Sequence, residues 1–122
     1  MARVLIVDDS PTQLLSLKRI VEKLGHAAIT AQDGAAGVEI ARRDNPDLIL
    51  MDVVMPNLNG FQATRTIARD AKTRHIPVIL VTTKGQETDK VWGMRQGAKA
   101  YVTKPIDEKE LAQTIRLILP VG

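Results

Sequence analysis

Along the chain, short runs of aliphatic and β-branched residues alternate with longer stretches whose apolar positions recur every three or four residues. Runs of four or five bounded by turn residues read as strands, and amphipathic stretches of about ten residues read as helices. The pattern predicts strands at Val4 to Val7, Ala27 to Ala31, Leu48 to Met51, Val78 to Thr82 and Ala100 to Thr103. It predicts helices at Thr12 to Leu24, Ala35 to Arg43, Gly60 to Ala71, Glu87 to Gln96 and Asp107 to Leu119. Gly25 after the first helix, Asn45-Pro46-Asp47 after the second and Pro77 before the fourth strand punctuate these elements.

Strands that alternate with helices build a parallel sheet. The segments "VLIV", "LILM" and "VILV" are apolar throughout and need cover on both faces, whereas "AAITA" and "AYVT" are mixed and suit edges. With right-handed crossovers, this favours a doubly wound, five-stranded parallel sheet of order 2-1-3-4-5, a flavodoxin-like α/β fold. Ligands of such sheets bind beyond the carboxyl ends of the strands, where the chain reverses direction between strands one and three. Those two strands run into Asp8 and Asp52.

The 122 residues suffice for one core and are too few for two ordinary domains. Aromatic residues are only 2% against 44% hydrophobic, so the core is expected to be aliphatic. The lack of cysteine excludes disulfides, thiolate metal sites and a cysteine nucleophile. No apolar run is long enough for a membrane span or a signal peptide, so a cytoplasmic protein without a membrane partner is expected. The net charge of +3 comes from scattered basic residues, densest at Ala41-Arg42-Arg43, a pattern that argues against direct nucleic-acid binding. The chain ends at "LPVG" after the last helix, so residues 1–122 are read as a single domain with no output domain.

Asp8, Asp9 and Asp52 should converge from neighbouring strand ends. Two like charges 4 Å apart repel by about 4 kcal/mol at an effective dielectric of 20, so a cation or tighter proton binding is required. Hard oxygen ligands suit Mg²⁺, held by Asp8, Asp9, Asp52 and the backbone carbonyl of Val54. The fourth and fifth strands bring the Thr82 hydroxyl and the Lys104 ammonium to the same crevice, where they could stabilise a phosphoryl group. Asp52, in the middle, is the expected phosphoryl acceptor. Taken singly, these residues have ordinary explanations: an aspartate after a strand caps a helix or turn, and an end-of-strand lysine is solvated. Their joint occurrence on one sheet edge is what points to chemistry.

The segments "LIVDDS", "LILMDVVMPNLNGF", "IPVILVTT" and "AYVTKP" resemble the signature segments of the response-regulator receiver family of two-component signalling. The resemblance covers essentially the whole chain, including spacings of thirty residues from Asp52 to Thr82 and twenty-two from Thr82 to Lys104. "NGFQATR" and "TTKGQETDKVWGMRQGAKAYVTKP" further resemble the stand-alone receivers of chemosensory systems that control type IV pilus twitching motility. The resemblance implies that Asp52 takes a phosphoryl group from the phosphohistidine of a sensor kinase, with Mg²⁺ on Asp8 and Asp9. It also implies that Lys104 pairs with the phosphoryl oxygens, that Thr82 moves to bond the group, and that Tyr101 rotates inward behind it. The implied readout surface for a protein partner is the Glu87 helix, the Tyr101 strand and the Asp107 helix, on a monomer or weak dimer. A cis Lys104-Pro105 bond is a family feature that X-Pro bonds tolerate.

Three positions depart from the commoner family pattern: Thr83 where Ala or Gly is frequent, Lys84 where relatives carry an acid, and apolar Val54 where a polar residue is common. They suggest altered phosphoryl turnover. Competing readings are a phosphate sink for the same kinase and a module that binds without phosphorylation. An aspartyl-phosphate hydrolase of the haloacid-dehalogenase type fits poorly, because it needs an Asp-x-Asp nucleophile motif after the first strand. A flavodoxin-like cofactor binder would need a hydroxyl- and glycine-rich loop where "DDSPT" stands. Trp92 is expected to pack rather than recognise a partner, and His26 and His75 are assigned no role.

Overall fold

The fold is that of a computed structural model that describes residues 1–119; the end of the "LPVG" segment, on which the reading of the chain end rests, lies outside the described residues. Among the described residues ten elements alternate: β1 (Arg3–Val7), α1 (Pro11–Lys23), β2 (Ala27–Ala31), α2 (Gly34–Asp44), β3 (Leu48–Met51), α3 (Gly60–Arg69), β4 (Val78–Thr82), α4 (Glu87–Arg95), β5 (Ala100–Thr103) and α5 (Glu108–Ile118). The strands form one parallel sheet in the expected order, β2-β1-β3-β4-β5. Val7 lies level with Ala31 and Met51, and Thr82 with Thr103, so the carboxyl ends of all five strands share one edge.

Alternation along the central strands builds two aliphatic layers. Leu5, Val7, Ile49, Met51 and Leu80 pack on Val38 and Ala41 of α2 and on Ala63 and Ile67 of α3. Ile6, Leu50, Ile79 and Val102 pack on Leu17 and Val21 of α1 and on Leu111 and Ile115 of α5. β1, β3 and β4 are central and buried, as their unbroken apolar runs demand.

Helix ends depart from the sequence reading by one or two residues, each for a local reason. α1 begins at Pro11 because Ser10 caps it, its hydroxyl accepting from the Gln13 amide, and proline suits the first helical position. α3 stops at Arg69 rather than Ala71: Asp70 turns extended, and its carboxylate accepts from the Lys72 amide at 2.9 Å and from Arg42 at 2.7 Å. α5 starts one residue late because Asp107 is its N-cap.

Trp92 corrects an expectation. It is 48% exposed, with Val91 and Met94 also exposed, because α4 turns its one buried residue, Gly93, toward the sheet and leaves the neighbouring side chains outside. His26 and His75 tie neighbouring segments together: the Ala2 amide donates to His26 Nδ1, and His75 Nε2 meets Asn45 Oδ1.

Gly60 brings the returning chain against the end of β3. Its amide donates to the Val53 carbonyl, and a Cβ there would lie 2.0 Å from the Asp52 carbonyl oxygen. Because that neighbour is backbone, it cannot yield as a flexible side chain would. Gly60→Ala is therefore expected to lose about 3 kcal/mol, read as a fall in Tm of roughly 10 °C. An unchanged Tm would contradict this packing.

Candidate functional site

Three strand ends are extended by one backbone bond each: the Asp8 amide donates to Ala31, the Asp52 amide to Val7, and the Lys104 amide to Thr82. These bonds hold the backbone at each position and leave the side chains to enter the crevice. The Asp8, Asp9 and Asp52 carboxylates each offer an oxygen within 4.8 Å of the other two. Asp8 and Asp52 are buried, at 1% and 6% exposure, while Asp9 is open to solvent.

The "DDSPT" turn explains how these acids are tolerated. One Asp8 oxygen accepts from the Ser10 amide at 2.9 Å, and the other meets the Lys104 ammonium at 2.8 Å. Lys104 is also 3.7 Å from Asp52, whose other oxygen accepts from the Val53 amide at 2.8 Å. Burial pushes the Asp52 carboxyl above the usual aspartate range; Lys104 works against that, the Asp8 charge adds to it, and the Val53 and Val54 amides oppose it. A hard divalent cation fits this donor set, since three carboxylates offer it oxygen ligands and its charge would offset the burial and the Asp8 repulsion that raise Asp52.

The remaining sequence-derived candidates line the same edge. Thr82 is fully buried, and its hydroxyl accepts from the Lys84 amide at 3.3 Å. Val54 follows Asp52 with its side chain 54% exposed beside the crevice, and Thr83 and Lys84 are exposed. Tyr101 is half-buried against the layer that contains Leu80, and its hydroxyl donates to the Lys84 carbonyl at 2.5 Å. Burial raises its phenol to about 12, with Asp89 and then Asp52 adding to the shift. The Lys104-Pro105 peptide is cis.

Sequence reasoning missed two features. It assigned Lys104 to the acceptor and did not foresee its closer contact with Asp8, for which strand-end spacing carries no signal. It also passed over Gly60, although the Asn59 and Gln62 capping box around it was readable.

Residues 4–116 match the response regulator receiver domain, and the chain belongs to that family. Receiver domains are signalling phosphoacceptors that bind Mg²⁺ at an acidic pocket. At 60% identity over 119 residues, covering 98% of both chains, the sequence is similar to Protein PilH of Pseudomonas aeruginosa, of which it is a homologue. The structure resembles the chemotaxis protein CheY4 of Vibrio cholerae, with a TM-score of 0.91 at 28% identity, covering 98% of this chain and 99% of that one. It also resembles the receiver domain of the sensor histidine kinase PA1611 of Pseudomonas aeruginosa, with a TM-score of 0.87 at 29% identity and 95% coverage of each. That structure has a magnesium ion coordinated in the active-site cleft. Among the described residues, no helix is long and apolar enough to cross a membrane.

Proposed function

We propose that the chain is a stand-alone phosphorylation switch that accepts a phosphoryl group on Asp52 from the phosphohistidine of a sensor kinase. The pathway that fits is chemotaxis-like control of type IV pilus twitching motility, supported by the similarity to PilH. The single observation that carries the proposal is the convergence of Asp8, Asp9 and Asp52 around Lys104 at the sheet edge.

Asp8, Asp9, Asp52 and the Val54 carbonyl would hold Mg²⁺, which when bound draws charge from the phosphoryl oxygens. An Asp52 oxygen attacks phosphorus, the P–N bond breaks, and its electron pair leaves with the imidazole, which takes up a proton. Lys104 then pairs with a phosphoryl oxygen, and the Thr82 hydroxyl turns to donate to another. Removal of the hydroxyl from the Lys84 amide frees the β4–α4 loop, and Tyr101 follows.

Inverting a two-state ratio from 1:99 to 99:1 takes about 5.5 kcal/mol of differential interaction. Two or three charge-assisted hydrogen bonds of about 1.5–3 kcal/mol each reach that figure. The readout surface is α4, β5 and α5, where Val91, Trp92 and Met94 offer exposed apolar area to a protein partner.

NMR with the beryllium fluoride phosphoryl mimic and Mg²⁺ tests the switch. Resonances of Thr82, Tyr101 and α4 are expected to move in wild type and to stay in Asp52→Asn; equal movement in both, or none in either, sinks the proposal.

The exposed Val54 and Thr83 side chains flank the acceptor, where one offers no polar atom to an attacking water and the other narrows access. Val54→Asn and Thr83→Ala are each expected to speed loss of phosphate from Asp52 by about tenfold, equivalent to about 1.4 kcal/mol of barrier. Decay of radiolabelled protein measures this, and wild-type rates in both variants would remove these residues from phosphoryl turnover.

A further inference from the structure

Gly93 is the one buried residue of α4, and the space its missing side chain leaves is bounded by the side chains of Leu80 and Tyr101 rather than by backbone. A Cβ at this position would lie 2.7 Å from Leu80 Cδ1 and 3.0 Å from both Cδ2 and Cε2 of the Tyr101 ring. The leucine methyl ends a flexible chain and can turn aside. The aromatic ring is rigid, and its far end is tied by the hydroxyl to the Lys84 carbonyl.

Glycine weakens a helix interior relative to alanine. α4 can least absorb that loss: it has nine residues, and its large apolar side chains Val91, Trp92 and Met94 stay exposed instead of anchoring it. A helix-weakening residue therefore stands where any side chain would press on the tyrosine ring.

We propose that Gly93 is a positioning residue for the switch: by withholding a side chain it provides the seat in which the Tyr101 ring lies against α4 and its hydroxyl reaches the Lys84 carbonyl. The residue touches neither the acceptor nor the metal ligands and acts only through Tyr101. Filling the seat shifts the ring outward and breaks the hydroxyl's bond to Lys84, so the state of β5 no longer follows the state of Asp52. The inference rests on the reading of Tyr101 as a switch residue.

The test uses the full chain as wild type, Gly93→Ala, Tyr101→Phe, Tyr101→Ala and the double variant Gly93→Ala/Tyr101→Ala. The Lys84 carbonyl ¹³C resonance senses the hydroxyl of the only tyrosine in the chain. In Gly93→Ala it is expected to move to its position in Tyr101→Phe, and the response of β5 to beryllium fluoride should fall by more than half. Gly93→Ala should lower Tm in the wild-type background yet raise it when Tyr101 is already alanine, because the ring is gone, the Leu80 methyl can turn into the space it vacates, and the gain in helix propensity remains. This sign change separates a seat for the ring from a simple need for close helix packing, which would lower Tm in both backgrounds. A wild-type Lys84 resonance in Gly93→Ala, or a Tm change of the same sign in both backgrounds, overturns the proposal. Failure of wild-type Tyr101 to respond to beryllium fluoride overturns the switch reading itself, whatever Gly93→Ala does.

Discussion

Asp52→Asn is expected to abolish phosphoryl acceptance while making the metal-free protein more stable at neutral pH. The substitution keeps an oxygen to accept the Val53 amide and removes a buried charge that Lys104 offsets only in part, at 3.7 Å, while Asp8 opposes it. Because the folded-state pKa of Asp52 is raised, the folded protein holds this proton more tightly than the unfolded chain. The resulting stability is fully present below the unfolded value, near 4, and is lost as pH rises through the raised folded value. Asn has no such loss, so the two proteins should match in acid and diverge toward neutrality. At neutral pH the variant should melt above wild type, by a margin that grows as pH rises out of the acid range. Thermal melts in chelator from about pH 3 to about pH 8, spanning the carboxylate range, check this; a variant less stable than wild type near neutrality would mean that Asp52 is a structural ion-pair partner.

Asp9→Asn should separate metal binding from folding. Asp8 already engages Lys104 and the Ser10 amide, and Asp52 is buried, so Asp9 is the acid free to turn toward a cation from solvent. Without metal, the change should alter stability by no more than about 0.5 kcal/mol, as for other exposed positions. With Mg²⁺ at about 100 times its Kd, wild type gains about 2.7 kcal/mol by mass action, a rise in Tm of roughly 10 °C. Asp9→Asn should lose most of that rise, and its phosphoryl acceptance should fall about 100-fold, equivalent to about 2.7 kcal/mol of barrier. A melting curve with and without Mg²⁺ measures the first, and equal metal responses in both proteins would take Asp9 out of the site.

Much of this arrangement was legible because burial writes itself into strand sequences. "VLIV", "LILM" and "VILV" have no polar face to present, so they must be central, and the switch point then places Asp8 beside Asp52. Details that depend on three-dimensional competition were not legible. Lys104 chooses between two carboxylates by distances of 2.8 and 3.7 Å, which no spacing encodes. Trp92 has the composition of a core residue but lies on a helix that docks through Gly93, so its exposure follows from α4's rotation rather than from its own chemistry. The early end of α3 depends on Asp70 finding both the Lys72 amide and Arg42, a partner 28 residues away.

The central claim, that Asp52 is a Mg²⁺-dependent phosphoryl acceptor, is met most directly by peptide mass spectrometry after incubation with a phosphorylated histidine kinase and Mg²⁺. The account predicts one phosphoryl group on the peptide that contains Asp52, lost in Asp52→Asn and absent when chelator replaces Mg²⁺. A phosphoryl group on another residue, or equal labelling of Asp52→Asn, would contradict it.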